Sequence, residues 1–178
     1  MNTIFLDIDG ILATEATYRA VRTELWRRAN PGRELPHRRP ASVLPPIETI
    51  RDAPIETVVG LLDPECCERV VQLQQRIEAR VILTSSWRKV YGPEKLRDIL
   101  GARGLVYESV TPVLGHRGGE IRSEVERLGL APETVVVLED EEDVRPYNGR
   151  RVQPTFYGPR AGFQGRHLRQ ALALFGLV

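Results

Sequence analysis

The chain has 178 residues, 42% of them apolar, with 25 basic against 24 acidic side chains. That length fits one domain, and the apolar share is ample for a core. Its longest apolar stretches, near 4–6, 81–83 and 135–138, fall far short of the roughly 20 residues needed to cross a bilayer.

The opening MNTIFLD lacks a basic leader, a long apolar middle and a small-residue cleavage site, so a cytoplasmic protein is expected. Cys66 and Cys67 are neighbours, too close in the chain for an unstrained bridge, and no zinc-type spacing exists. Both are expected to be structural thiols. Charge is unevenly spread: residues 13–41 hold seven arginines against three glutamates, and residues 144–178 hold six arginines and no acid. Arginine outnumbers lysine 23 to 2, which suits bidentate phosphate binding but follows equally from a GC-rich genome.

Residues 3–6 form a short apolar run that ends abruptly in acids and a glycine, the pattern of a buried strand reaching an exposed tip. A helix is predicted over 15–29, with Tyr18, Val21, Leu25 and Trp26 on one face. Trp26 is a candidate for stacking on a base, although packing of its own helix is the more ordinary role. Five prolines between 31 and 46 predict an irregular loop. Asp63, Pro64 and Glu65 read as a helix start, with the helix running to about 79. A second strand follows at 80–83, then a helix at 93–103 closed by Gly104. A third strand is predicted at 105–107, a helix at 119–128, a strand at 134–138, a last strand near 151–155 and a final helix at 165–175.

Unbroken apolar strands alternating with helices predict an α/β fold: a three-layer sandwich around a five-stranded parallel, Rossmann-like sheet. Ligands in such sheets bind beyond the carboxyl ends of the strands. The residues with chemistry lie there. The first strand runs into Asp7-Ile8-Asp9-Gly10, two acids that repel each other unless a cation lies between them. A hard dication prefers oxygen ligands, which points to magnesium, although an acid pair before a glycine is often just a turn. The second strand runs into Thr84 and Ser85, donors suited to a phosphate oxygen or simply to capping a helix. The strand at 134–138 runs into Glu139 and Asp140, read as ligands or as a solvated loop. A phosphoryl transition state also calls for a basic group. Arg117 is the candidate, with Arg88 and Lys89 as competitors. His37, His116 and His167 are scattered and are expected on the surface or in loops, and Trp87 is expected in the core.

The segments IFLDIDGIL, VILTSSWR, RGGEI and VVVLED, in that order, resemble the four motifs of the haloacid dehalogenase (HAD) superfamily. The TSSWR run and the absence of a large cap narrow the resemblance to the HAD domain of Swiss-army-knife RNA repair proteins. The resemblance implies a magnesium-dependent phosphatase with Asp7 as nucleophile, forming an aspartyl phosphate. Asp9 would be the general acid and base, its backbone carbonyl on the metal. Gly10, Thr84, Ser85 and Arg117 would hold the phosphoryl group, with Thr84 and Arg117 also serving catalysis. Asp7, Asp9, Asp140 and Glu139 would make up the metal set, and glutamate at 139 departs mildly from the usual aspartate. The chain would be one HAD-like domain over 1–178, with a small basic cap-like insert at about 13–60. The substrate would be a nucleic-acid end, a nucleotide or another small phosphate ester. Transfer to an acceptor other than water stays open, and a non-catalytic phosphate-binding module is disfavoured by the intact Asp7 and Asp9 pair.

Overall fold

The computed structural model describes residues 1–35, 50–142 and 144–177. Their elements run β1 (Asn2–Leu6), α1 (Glu15–Ala29), α2 (Ile55–Val59), α3 (Pro64–Arg76), β2 (Ala79–Leu83), α4 (Trp87–Val90), α5 (Pro93–Gly101), β3 (Ser109–Val110), α6 (Arg117–Leu128), β4 (Val135–Leu138), β5 (Arg151–Val152) and α7 (Gly165–Ala173). The strands form one parallel sheet in the order β3-β2-β1-β4-β5. This is the expected three-layer α/β architecture. The order reverses beside β1, so the crevice between the ends of β1 and β4 is where a doubly wound sheet places its ligand.

Each central strand is apolar on both faces because each face has its own core. Ile4, Leu6, Val81, Leu83, Val136 and Leu138 join Val70 and Leu73 of α3, Ile99 of α5 and Leu172 of α7. Phe5, Ile82, Val135 and Val137 point the other way, onto Ile121 of α6, with Val125 packed beside them. The period-two alternation of β-strand side chains thus splits one apolar run between two layers.

Local chemistry sets the helix boundaries. Thr14 caps α1: its hydroxyl accepts from Thr17 N–H at 3.3 Å and its own N–H donates to the Thr17 hydroxyl at 2.9 Å. Asp63 accepts from Glu65 and Cys66 N–H groups, and Pro64 takes the first helical position of α3. Helix α3 stops at Arg76, earlier than predicted, because Glu78 turns into the left-handed region (φ 49°) and Ala79 pairs with Asn2. Cys66 and Cys67 are buried free thiols, and burial pushes both up to about 12, which keeps them protonated.

The third strand lies two residues beyond the apolar run that predicted it. Leu105 closes α5 through a bond from its N–H to Leu100 O, Tyr107 donates its hydroxyl to Pro93 O, and pairing with β2 starts only at Glu108 N–H. Leu105 and Tyr107 are buried outside the sheet while Val106 is exposed, so the apolar run marks a connection and not a strand. Helices α2 and α4 were not foreseen. The prolines from 36 to 46, His37, Arg38 and Arg39 lie outside the described residues. Among the described residues no helix is long and apolar enough to cross a membrane.

Candidate active site

Helix α6 begins at Arg117, two residues earlier than its glycines suggest, because His116 serves as N-cap and accepts Gly119 N–H on Nδ1 at 3.0 Å. That start brings the Arg117 side chain to the ends of β1 and β4. Its Nε lies 2.8 Å from Glu139 Oε2, and its NH2 nitrogen lies 3.7 Å from Asp7 Oδ1. Burial opposes its charge, but Asp7 and Glu139 outweigh burial and hold the guanidinium more firmly protonated than usual.

The two competitors for this basic position lie elsewhere. Lys89 is exposed. Arg88 is turned inward: it donates to the carbonyls of Thr84, Ser85, Thr111 and Pro112 and pairs with Glu120 at 2.6 Å. It braces the loops on either side of the site from within.

Asp7 and Asp9 diverge beyond β1. One turn of chain follows, in which Ile8 O accepts from the N–H groups of Ile11, Leu12 and Ala13, and the Asp9 carboxylate is not among the oxygens clustered with Asp7. Asp7 Oδ1 accepts no hydrogen bond among the described residues. Asp9 is clamped from two sides: Tyr18 hydroxyl donates to Oδ1 at 2.9 Å and Trp87 Nε1 donates to Oδ2 at 3.0 Å. Burial, then the charge of Asp7, lifts Asp9 to about 6. Burial and Asp9 also hold Tyr18 far above the usual phenol range, so it stays a donor. Neither aromatic partner was legible as such. Trp87 is buried, as expected, but its indole also serves the site, and Tyr18 showed only as part of an apolar helix face.

Asp7, Glu139 and Asp140 form the acidic cluster, with one carboxylate oxygen from each lying within 4.8 Å of the others. Burial and then Asp7 raise both Glu139 and Asp140, the latter to about 6. Crowded, half-desolvated carboxylates of this kind are relieved by a cation, and an all-oxygen set suits a hard one. The donors therefore fit a divalent metal. The Asp9 carboxylate, held by Tyr18 and Trp87, is not part of this cluster.

Gly10 supplies room rather than contacts. Its φ is +75°, and a Cβ there would lie 2.2 Å from Asp140 Oδ2. Gly10→Ala should displace Asp140 and weaken divalent-metal affinity by about tenfold or more, as disturbing a ligand's support commonly does. Thermal shift against added magnesium checks this, and an unchanged midpoint would separate Asp140 from the metal.

Thr84 follows β2, and its Oγ1 is buried without a hydrogen-bond partner among the described residues. A buried unsatisfied hydroxyl is costly, which makes it notable at the end of β2, where Thr84 N–H donates to Leu6 O just before Asp7. The Ser85 hydroxyl accepts Trp87 N–H at 3.3 Å. His116 and His167 are explained as helix caps. His167 is buried instead of lying on the surface: its Nδ1 accepts Gln164 N–H at 3.0 Å. Trp26 is half-buried on α1 and does not reach the cleft residues.

The sheet and its crevice define a doubly wound α/β protein whose acids and guanidinium meet at the topological switch point. More narrowly, the chain belongs to the family of HAD domains in Swiss Army Knife RNA repair proteins, whose family model matches residues 3–167. Solved structures with a similar fold include a haloacid dehalogenase-like hydrolase from Streptococcus pneumoniae, at 13% identity and TM-score 0.49, covering 96% of this chain and 90% of that one. CbbY from Rhodobacter sphaeroides, in complex with phosphate, has 19% identity and TM-score 0.47, with 93% and 92% covered. A Thermotoga maritima protein described as a β-phosphoglucomutase has 20% identity and TM-score 0.48, with 96% and 91% covered. No curated protein matches the chain.

Proposed function

We propose that the chain is a magnesium-dependent phosphatase that acts through an aspartyl phosphate on Asp7, with a nucleic-acid end as its substrate. The observation that carries this reading is the meeting of Asp7, Arg117 and the Glu139/Asp140 acids at the ends of β1 and β4, with the unsatisfied Thr84 hydroxyl at the end of the neighbouring strand β2. The nucleic-acid end is supported by the family's association with RNA repair.

In the first step an Asp7 carboxylate oxygen attacks phosphorus and the bond to the leaving oxygen breaks, while the Asp9 carboxyl gives that oxygen its proton. In the second step the Asp9 carboxylate takes a proton from water as the water oxygen attacks the phosphorus. Inorganic phosphate leaves and Asp7 is restored. The Thr84 hydroxyl, the Ser85 backbone and the Arg117 guanidinium bind the transferring phosphoryl oxygens. Magnesium, held by Asp7, Asp140 and the Asp9 carbonyl with Glu139 behind, would offset the charge of the phosphoryl group.

The arginine-rich segments support a polyanionic substrate less than their number suggests. Arg19 and Arg28 pair with Glu15 and Glu24 on α1, and Arg150 holds the carbonyls of Glu133, Val135 and Leu174. The decisive experiment is phosphate release with magnesium across nucleotides, sugar phosphates and 5′- or 3′-phosphorylated RNA and DNA. Equal turnover of sugar phosphates would remove the nucleic-acid end, and no release from any ester would remove the phosphatase. Arg117→Ala should lower kcat by about 10²–10³, the usual loss of one transition-state donor, without raising the magnesium requirement. Asp140→Ala should raise that requirement. Matching magnesium titrations for the two variants would show the division of labour to be wrong.

A further inference from the structure

Asp9 stands between two hollows. One, of about 370 Å³, holds Asp7, Arg117 and Asp140. The other, of about 390 Å³, opens on the far side of the same carboxylate. Asp9, Tyr18 and Ser86 line both, and in the phosphatase reading Asp9 is the residue that faces the leaving oxygen. The second hollow is therefore the neighbouring space open to the group that oxygen carries.

The second hollow is built from rings and aliphatic side chains. Tyr18, Trp87 and Tyr91 supply the rings, and Ile50, Leu61 and Val90 fill in between them. Its volume lies within the roughly 300–1,000 Å³ of small-ligand sites. Cations gather on this side: Arg51 lines the hollow, and Lys95 lies 5.1 Å over the Tyr91 ring and donates to Arg51 O at 3.4 Å. Asp9 and Asp52 also face Tyr91, so the charges balance two against two; Asp9 lies at the junction with the first hollow, and Arg51 is the cation in the lining of the second. An aromatic wall with a guanidinium suits a flat ring joined to a second anionic group.

We propose that this hollow is the leaving-group subsite, and that it takes a nucleoside bearing a second phosphate, with the ring among Trp87, Tyr91 and Tyr18 and that phosphate on Arg51. This rests on the phosphatase reading and narrows its substrate. The shared chemistry, a base flanked by two phosphates, occurs both in a free nucleoside bisphosphate and in the terminal nucleotide of a strand.

The test compares kcat/KM for adenosine 3′,5′-bisphosphate, a 5′-phosphorylated tetranucleotide and glycerol phosphate. Either nucleotide should exceed glycerol phosphate at least tenfold, and the better of the two identifies the source. Arg51→Gln should cut that ratio about tenfold. Val90→Trp, at a position 39% exposed and so tolerant of bulk, should fill the hollow and bring the ratio near one. A parent ratio near one, or a ratio that neither variant changes, overturns the proposal. Binding is read separately through Trp87 emission in the Asp7→Asn, Trp26→Phe background. Adenosine bisphosphate should quench it saturably, and Arg51→Gln should weaken that binding about tenfold. Quenching without release of phosphate from any ester would retain the subsite and discard the phosphatase. Release from glycerol phosphate without quenching would do the reverse.

Discussion

Asp7→Asn is expected to reduce phosphate release by at least about 10⁴-fold, in line with the loss of a nucleophile elsewhere, while the protein stays folded. The amide has nearly the carboxylate's shape but cannot form the acyl phosphate. The surroundings predict a second effect. Asp7 is second only to burial in raising Asp9, Glu139 and Asp140, so its negative charge is a source of repulsion among these acids. Removing that charge should leave the melting temperature without metal unchanged or higher. Magnesium should then stabilise the variant less than the parent, because one of three clustered oxygens has lost its charge. Thermal melts with magnesium and with chelator, run beside the phosphate assay, separate these effects. Substantial residual turnover would exclude Asp7 as nucleophile, and a collapse in stability would recast it as structural.

Much of this arrangement was legible because strand tips in a parallel sheet are where side chains leave the core. The runs before Asp7, Thr84 and Glu139 are short and end in the paired residues Leu6, Leu83 and Leu138, and each becomes polar at the next residue, so strand and site boundaries coincide. What stayed hidden depends on side-chain direction across long separations. Nothing in the spacing of Tyr18, Asp9 and Trp87 shows that two rings converge on one carboxylate. Likewise, Arg88 and Arg117 are equivalent as charges in sequence. One starts a helix whose cap aims it at the cleft, and the other lies in a short helix whose guanidinium meets four backbone carbonyls. The misplaced third strand has the same origin, since buried residues in a connection carry the same apolar signal as buried residues in a strand.

Arg88 is therefore the position where the largest loss of stability is expected. Its side chain and that of Glu120 are 4% and 3% exposed, and they form an ion pair at 2.6 Å. Arg88→Met removes one partner only. It leaves Glu120 as a buried carboxylate whose remaining support is Leu114 N–H at 3.1 Å and the more distant Arg117 at 3.7 Å. Breaking a buried pair in this way costs about 3–5 kcal/mol, enough to remove much of a small domain's stability. The pH dependence follows from Glu120. In the parent, burial raises its pKa, but Leu114 N–H and Arg88 outweigh burial and hold it below 4.5. A depressed folded pKa contributes stability above the unfolded value, and that contribution is lost as pH falls through the folded one. In Arg88→Met the main counter-charge is gone and burial should dominate, so Glu120 should take up a proton above 4.5 and relieve its own burial cost. The stability deficit should be largest near neutral pH and shrink on acidification towards pH 5. Adding Glu120→Gln should recover part of the deficit at pH 7 and flatten its pH dependence, because the uncompensated charge is then absent. Denaturant melts of the two single variants, the double variant and the parent at pH 7 and pH 5 test this directly. A deficit that stays constant between those pH values would place the cost in the orphaned carbonyls of Thr84, Ser85, Thr111 and Pro112 instead of in Glu120.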